Sequence, residues 1–316
     1  MAQTALIITD GKPGHENQSR ALCEALGLPA DTVCVTYGCG RKSLSYLFDW
    51  LGIRWPHLFR AAPPIGTIDA AGIRLVVGTG STAYYPAKCM ARRLNVPCVA
   101  ILMPRGYRLT FDCIVVPEYD RPPERRSIVT VPVNVCPLDP GRYQRQAAEF
   151  AERHAQKRPA AGFILGGHNA VSNLDAADLH RQLRQAMEQL PDHEFWVTTS
   201  RRTPPEVDAL INELPFDYRL VYSRDPNYNP TPAFVALCDR LFVTSDSASM
   251  ISESVCFGSS AVEILMTHQR RADSKFLRLI RGLESRGAAH VFDGTLGDAR
   301  AKIDLRARLE EVQRFV

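Results

Sequence analysis

The chain lacks any apolar run near the ~20 residues that span a bilayer, so a membrane association is expected to be peripheral only. It opens directly on Thr4-Ala-Leu-Ile-Ile8, without the basic region, long apolar segment and cleavage site of a secretory leader. No Cys-x-x-Cys occurs. The nine cysteines are an odd, scattered set, and Cys98, Cys113 and Cys238 fall inside apolar patterns, where a reduced thiol behaves as a small hydrophobe. A disulfide framework is therefore not expected, and a reducing cytoplasmic location is. No Lys/Arg run exceeds an Arg-Arg pair and the net charge is +4 over 316 residues, which argues against nucleic acid as a partner. Neither G-x-G-x-x-G nor G-x-x-x-x-G-K-[ST] is present, and no Asp-x-Asp pair is available to hold a metal.

What is present centres on Leu241-Phe-Val-Thr-Ser-Asp-Ser-Ala-Ser-Met-Ile-Ser-Glu253. Three apolar residues suit a strand covered on both faces, and Ser245, Asp246, Ser247 and Ser249 are the residue types that open a helix. Free amides at a helix N-terminus attract phosphate, and serine hydroxyls add hydrogen bonds to the same oxygens. Glu253 lies one turn beyond Ser249, where a carboxylate could accept from the two hydroxyls of a ribose. The competing reading is a capped core helix with Glu253 in water.

In chain order, Thr4–Thr9 leads into Asp10-Gly-Lys-Pro-Gly-His-Glu-Asn-Gln-Ser-Arg20 and then a helix from Ala21. Gly11 and Gly14 permit close approach of a ligand, and Lys12, His15 and Asn17 crowd the same loop. Residues 41–60 combine Leu44, Leu47, Phe48 and Leu51 at helical spacing with Trp50, Trp55 and four basic residues. Such a segment is a candidate for resting on an anionic bilayer or receiving a lipid-borne acceptor; the alternative is an ordinary packed helix. Strands at 73–77, 96–102 and 111–116, with Gly78-Thr-Gly-Ser-Thr82 leading into a helix to Leu94, predict a parallel, doubly wound sheet. Tyr84-Tyr-Pro-Ala-Lys88 matches Tyr-x-x-x-Lys of short-chain dehydrogenases, but it follows the first strand too early and lacks the dinucleotide fingerprint; it is coincidence.

Pro137, Pro140 and Gly141 break the pattern, a polar helix follows over 144–157, and Ala161-Gly-Phe-Ile-Leu-Gly-Gly-His-Asn169 restarts strand and glycine loop. The expected organisation is an acceptor-side Rossmann-like domain at 1–140, a linker helix at 141–159, a nucleotide-sugar domain at 160–300 and a terminal helix at 301–316. Ser200-Arg201-Arg202 emerges at the end of the strand 194–199, where Arg201 and Arg202 suit a diphosphate. Asn227-Tyr-Asn229-Pro opens the helix before the central stretch, which makes Asn229 a further candidate.

Two such halves resemble the GT-B glycosyltransferases, two Rossmann-like doubly wound α/β domains facing a cleft. Val76-Val-Gly-Thr-Gly-Ser81 and Gly166-Gly-His-Asn169 are similar to the undecaprenyl-linked transferase that completes lipid II. More closely, Asp10-Gly-Lys-Pro-Gly-His-Glu-Asn-Gln18, Phe111-Asp-Cys-Ile-Val-Val-Pro-Glu-Tyr-Asp120, Thr198-Thr-Ser-Arg-Arg-Thr203 and Val243-Thr-Ser-Asp-Ser-Ala-Ser-Met250 resemble the ELM1-like family along nearly the whole chain.

The resemblance implies a metal-independent glycosyltransferase acting in envelope glycan or glycolipid synthesis, with a nucleotide sugar as co-substrate, no cofactor, and a glycan or lipid-linked acceptor. Ser200, Arg201, Asn229, Ser245, Asp246, Ser247, Ser249 and Glu253 would hold the nucleotide. Gly11, Lys12, Gly14 and Asn17 would line the acceptor side, with His15 or Asp10 as general base. The location implied is cytoplasmic, at most peripheral on the inner face of the membrane. Two alternatives carry different consequences. A non-catalytic scaffold of the organelle-fission type would recruit a dynamin-like partner and need none of these groups. An epimerase of the kind the family is sometimes labelled would carry a nicotinamide, against which the missing fingerprint speaks.

Overall fold

The computed structural model describes residues 3–64, 67 and 71–316. It resolves into two compact units, the first formed by 1–138 with 305–316 and the second by 139–304. In the first unit the order is β1 (Thr4–Thr9), α1 (Pro13–Ala25), β2 (Ala30–Tyr37), α2 (Arg41–Leu51), β3 (Phe59–Ala62), β4 (Ile73–Thr79), α3 (Tyr84–Leu94), β5 (Cys98–Ile101), β6 (Cys113–Pro117) and β7 (Ile128–Val131). These strands form one sheet in the order β3-β2-β1-β4-β5-β6-β7, parallel except for the antiparallel edge strand β3. The continuous apolar runs of β1, β4 and β6 are explained by burial on both faces, as a parallel sheet requires. A Cβ on Gly78 would lie 2.9 Å from that of Ala87, so glycine lets α3 lie directly on the sheet.

The second unit repeats the plan with α4 (Pro140–Arg153), β8 (Ala160–Ile164), β9 (Ser172–Asn173), α5 (Ala176–Glu188), β10 (Glu194–Thr198), α6 (Pro205–Glu213), β11 (Tyr218–Leu220), α7 (Thr231–Leu237), β12 (Arg240–Thr244), α8 (Ala248–Cys256), β13 (Ala261–Leu265), β14 (His268–Gln269), α9 (Lys275–Glu284) and β15 (His290–Val291). Its main sheet runs β11-β10-β8-β12-β13-β15, all parallel, with β9 and β14 as a separate antiparallel ribbon. Each sheet reverses its winding once, between β1 and β4 and between β8 and β12. In doubly wound sheets a crevice opens at the strand C-termini at that point. The expected two Rossmann-like α/β domains are therefore present.

The divisions differ from expectation in two places. Residues 141–159 are no linker. Tyr143 and Phe150, seven positions apart and thus on one face of α4, are both 0% exposed. Tyr143 stacks on Phe257 at 4.0 Å, and Phe150 lies 4.9 Å from Trp196 and 4.8 Å from Tyr218. Polar neighbours hid these two anchors in the sequence. Nor does 301–316 form one long helix: α10 (Arg306–Glu310) gives way to a 3-10 turn at Glu311–Phe315, and Leu305, Leu309 and Val312 are buried in the first unit. The short strands β3, β7 and β15 went unread because two to four residues carry no periodicity.

Replacing Phe150 by Ala removes the ring that joins α4 to β10 and α7, and is expected to cost ~4 kcal/mol in the second unit. Urea denaturation followed by the fluorescence of the buried Trp196 measures this; a linker helix would show almost no change.

Candidate functional site

The reversal point of the second sheet is built around one carboxylate. Asp246, just past β12 and 1% exposed, accepts from the Gly167 amide at 2.9 Å and from Arg202 Nη2 at 2.9 Å. Its backbone carbonyl accepts from Asn169 Nδ2 at 3.0 Å. Thr244 Oγ1 takes the Gly166 amide at 2.7 Å, and the Arg202 guanidinium also donates to the carbonyls of Gly167 and His168 at 3.3 and 3.2 Å. The loops after β8, β10 and β12 are thereby tied together. Both glycines are dictated by this closeness: a Cβ on Gly166 would sit 2.2 Å from Asp246 Oδ2, and one on Gly167 would sit 1.9 Å from the Arg202 carbonyl.

Several candidates change role as a result. Ser245 and Asp246 are both buried, and Asp246 Oδ1 has no hydrogen-bond partner. Ser245 is 0% exposed, its hydroxyl lying 2.8 Å from Thr267 Oγ1 and accepting from the Thr267 amide at 2.9 Å, and Asp246 serves the clamp. Arg201 is exposed and enters no ion pair among the described residues, whereas its neighbour Arg202 is the arginine that the site uses. Ser200 shapes its own turn, its amide donating to Thr203 Oγ1 and its hydroxyl accepting from the Arg202 amide. Asn229 accepts from the Thr231 amide at 3.1 Å, starting α7, and no contact joins it to the Asp246 group among the described residues. Ser247, half-buried, is the N-cap of α8 without a side-chain cap, and Ser249 is exposed in the first turn. Arg202, paired with Arg201 in the sequence, turns inward to Asp246, whereas Thr244 and Asn169 carry no such signal beyond the close approach that Gly166-Gly167 implies.

Glu253 sits where its spacing predicts, on α8 beyond that first turn. The residue is half-buried, yet its Oε1 is shielded from water and has no hydrogen-bond partner. Burial pushes its carboxyl above the ordinary range, opposed by the Arg142 guanidinium and by a hydrogen bond from the Tyr143 hydroxyl. A buried carboxyl oxygen without a hydrogen-bond partner is an unmet demand for one.

The reversal point of the first sheet carries the other group. Asp10 Oδ2 pairs with Lys12 Nζ at 2.6 Å, and Oδ1 with His15 Nδ1 at 3.0 Å. Burial would raise the Asp10 carboxyl, but Lys12 and His15 outweigh it and hold it below the usual range. With a carboxylate accepting from Nδ1–H, the His15 Nε2 carries the lone pair and can take a proton. The helix starts earlier than expected, with Pro13 at its first position, so Gly14, His15 and Asn17 belong to α1 rather than to a loop. The Gly14 carbonyl accepts from Gln18 Nε2 at 2.9 Å, and Asn17 is exposed. Gly11 adopts φ +75°, and a Cβ on Gly80 would fall 2.5 Å from His15 Cε1, so the imidazole lies on bare backbone. Beside it an open cavity of about 360 Å³ is lined by Asp10, Lys12, Tyr37, Lys42 and Thr82.

Two Rossmann-like units with these reversal points define a GT-B-like fold. The chain matches the family described as Mitochondrial fission ELM1 over residues 13–314, and it belongs to that family. Among solved structures, it is similar to a UDP-glucosyltransferase from Polygonum tinctorium, with 10% identity and a TM-score of 0.52 over 99% of this chain and 94% of that one. It is also similar to UDP-GlcNAc 2-epimerase from Neisseria meningitidis, with 11% identity and a TM-score of 0.50 over 99% of both chains. UGT89C1 of Arabidopsis thaliana, solved with UDP-L-rhamnose, gives 10% identity and a TM-score of 0.50 over 99% of this chain and 94% of that one. Identities this low establish likeness of fold alone. No protein of curated function matches the sequence. Among the described residues, no helix is long and apolar enough to cross a membrane.

The state of Glu253 has a measurable signature. A carboxyl raised in the folded chain binds protons that the unfolded chain has lost, so the native state is penalised as pH rises above the ordinary value of 4.5. Glu253→Gln, which keeps an acceptor for Tyr143, is expected to raise Tm at pH 8 and to give no gain near pH 4, as read by thermal unfolding across pH.

Proposed function

We propose that the protein binds a nucleoside-diphosphate sugar, of the uridine type, at the reversal point of its second unit and transfers the sugar to a glycan or lipid-linked acceptor in envelope glycan or glycolipid synthesis. The observation that carries this reading is Glu253, whose Oε1 lacks a donor and which lies on the helix whose first turn presents the exposed Ser249 and the half-buried Ser247. The diphosphate meets the first-turn amides of α8 and those two hydroxyls. Ribose hydroxyls supply the donors that Glu253 lacks. Arg201, exposed beside the clamp, is free to turn its guanidinium onto the phosphates and offset the charge that grows on the leaving diphosphate. That cation and the helix terminus stand in for a metal, so the proposed transfer is metal-independent.

His15 is the proposed general base on the acceptor hydroxyl, oriented by Asp10, while Lys12 keeps Asp10 ionised. The cavity beside this pair, with Lys12 and Lys42 on its wall, suits an acceptor bearing negative charge. A second reading, epimerisation of the bound sugar, is favoured by likeness of fold to the UDP-GlcNAc 2-epimerase. The two differ in their product: an epimerase inverts the sugar without any acceptor.

Calorimetric titration with UDP and with UDP-GlcNAc is expected to give saturable binding that Glu253→Ala weakens about tenfold or more, the loss of a charge-assisted hydrogen bond being worth ~1.5–3 kcal/mol. His15→Ala should retain UDP binding and lose transfer, and transfer by the native chain should persist in a chelator. Equal affinity of the native chain and Glu253→Ala would sink the nucleotide site, and inversion at C2 without acceptor would favour the epimerase.

A further inference from the structure

The six large apolar side chains that stand exposed among the described residues, Leu44, Leu47, Trp50, Leu51, Ile53 and Trp55, all fall between positions 44 and 55, and each is 43–66% exposed. Their exposure follows from how α2 is mounted. A helix packed on its own domain ordinarily buries its apolar stripe. This one buries Ser45 and Asp49, both 0% exposed, and turns its leucines and Trp50 outward. The inward face is locked: Asp49 accepts from Lys88 Nζ at 2.9 and 3.0 Å and from the Arg108 amide at 2.8 Å, and pairs with Arg54 at 3.2 Å. The Ser45 hydroxyl lies 3.0 Å from that of Tyr107. Rolling α2 to bury its leucines would strand a buried ammonium and carboxylate, a loss that outweighs the apolar area gained.

Charge is arranged to match. Between residues 38 and 62 the basic residues Arg41, Lys42, Arg54 and Arg60 face a single acidic one, Asp49, and that carboxylate is buried and paired. Arg41, Arg60 and Arg108 are exposed, and Arg108 Nη1 lies 3.4 Å from the Trp50 carbonyl. The segment thus offers two tryptophans and several aliphatic groups among cations, with no exposed carboxylate of its own.

We propose that α2 and the turn through Trp55 dock on an anionic lipid bilayer surface, the apolar side chains entering the headgroup boundary and the arginines contacting lipid phosphates. A second copy of the chain is a poorer occupant, because a twofold contact would bring the same arginines of both copies together. The proposal does not rest on the nucleotide-sugar reading.

The purified chain, without nucleotide, is mixed with vesicles of phosphatidylcholine alone or containing phosphatidylglycerol. Binding is expected to be roughly tenfold or more tighter to the anionic vesicles and to weaken with salt. Exposed positions tolerate polar replacement, so Trp50→Ser with Leu51→Ser should fold, as a thermal scan checks, and lose binding by about tenfold or more. In the native chain, brominated acyl chains should quench Trp50 and Trp55, while Trp196, 0% exposed, keeps its emission. No vesicle binding, binding that the double substitution leaves unchanged, or a dimer that the same substitution dissociates would each overturn the proposal. UDP binding is read separately, so failure of either assay leaves the other standing.

Discussion

The architecture of the second unit depends on the buried carboxylate of Asp246. It lies at the one place where the sheet reverses, and it must be paired because a bare carboxylate at 1% exposure is far too costly to keep. The Gly167 amide and Arg202 satisfy one of its oxygens, and in doing so they fix the loops after three strands. The side chains at 166 and 167 are forced to be hydrogen atoms by the same contact. With the loops drawn inward, α8 begins at a defined place, with Ser249 exposed in its first turn. The clamp thus sets where the loops and α8 lie, and leaves Asp246 Oδ1 without a partner.

The two reversal points use charge in opposite ways. At the first, Asp10 is ionised and shared between Lys12 and His15, so its field orients an imidazole. At the second, Glu253 is held above its ordinary range with one oxygen unsatisfied, a state that favours gaining a donor. One carboxylate is fully paired and orients an imidazole, while the other keeps an oxygen without a partner. Both lie where a doubly wound sheet places its ligands.

Much of this was legible in the sequence. Apolar strands alternating with helices gave two parallel sheets, and Asp10, His15 and Glu253 lie at sheet reversal points. The direction of side chains was not legible. Ser245 and Asp246 are the right residue types for a helix start, but they lie at the C-terminal end of a central strand, where neighbouring loops compete for their hydrogen bonds. Arg201 and Arg202 are indistinguishable as letters, and only the turn held by Ser200 and Thr203 sends one inward and the other to water. The spacing of residues 41–60 predicts an amphipathic helix, but nothing in it reveals that Asp49 finds Lys88 and turns the polar side in. The Asp49–Lys88 pair joins residues 39 positions apart, beyond the reach of local pattern.

The central claim is that the first turn of α8, placed by the Asp246 clamp, receives the diphosphate of a nucleotide. Hydrogen exchange of backbone amides, compared with and without saturating UDP, tests it most directly. Slowed exchange concentrated at Ala248–Met250 and in the loop 166–169, with the first unit unchanged, is the predicted result. No protection there, or protection confined to residues 10–17, would contradict the account.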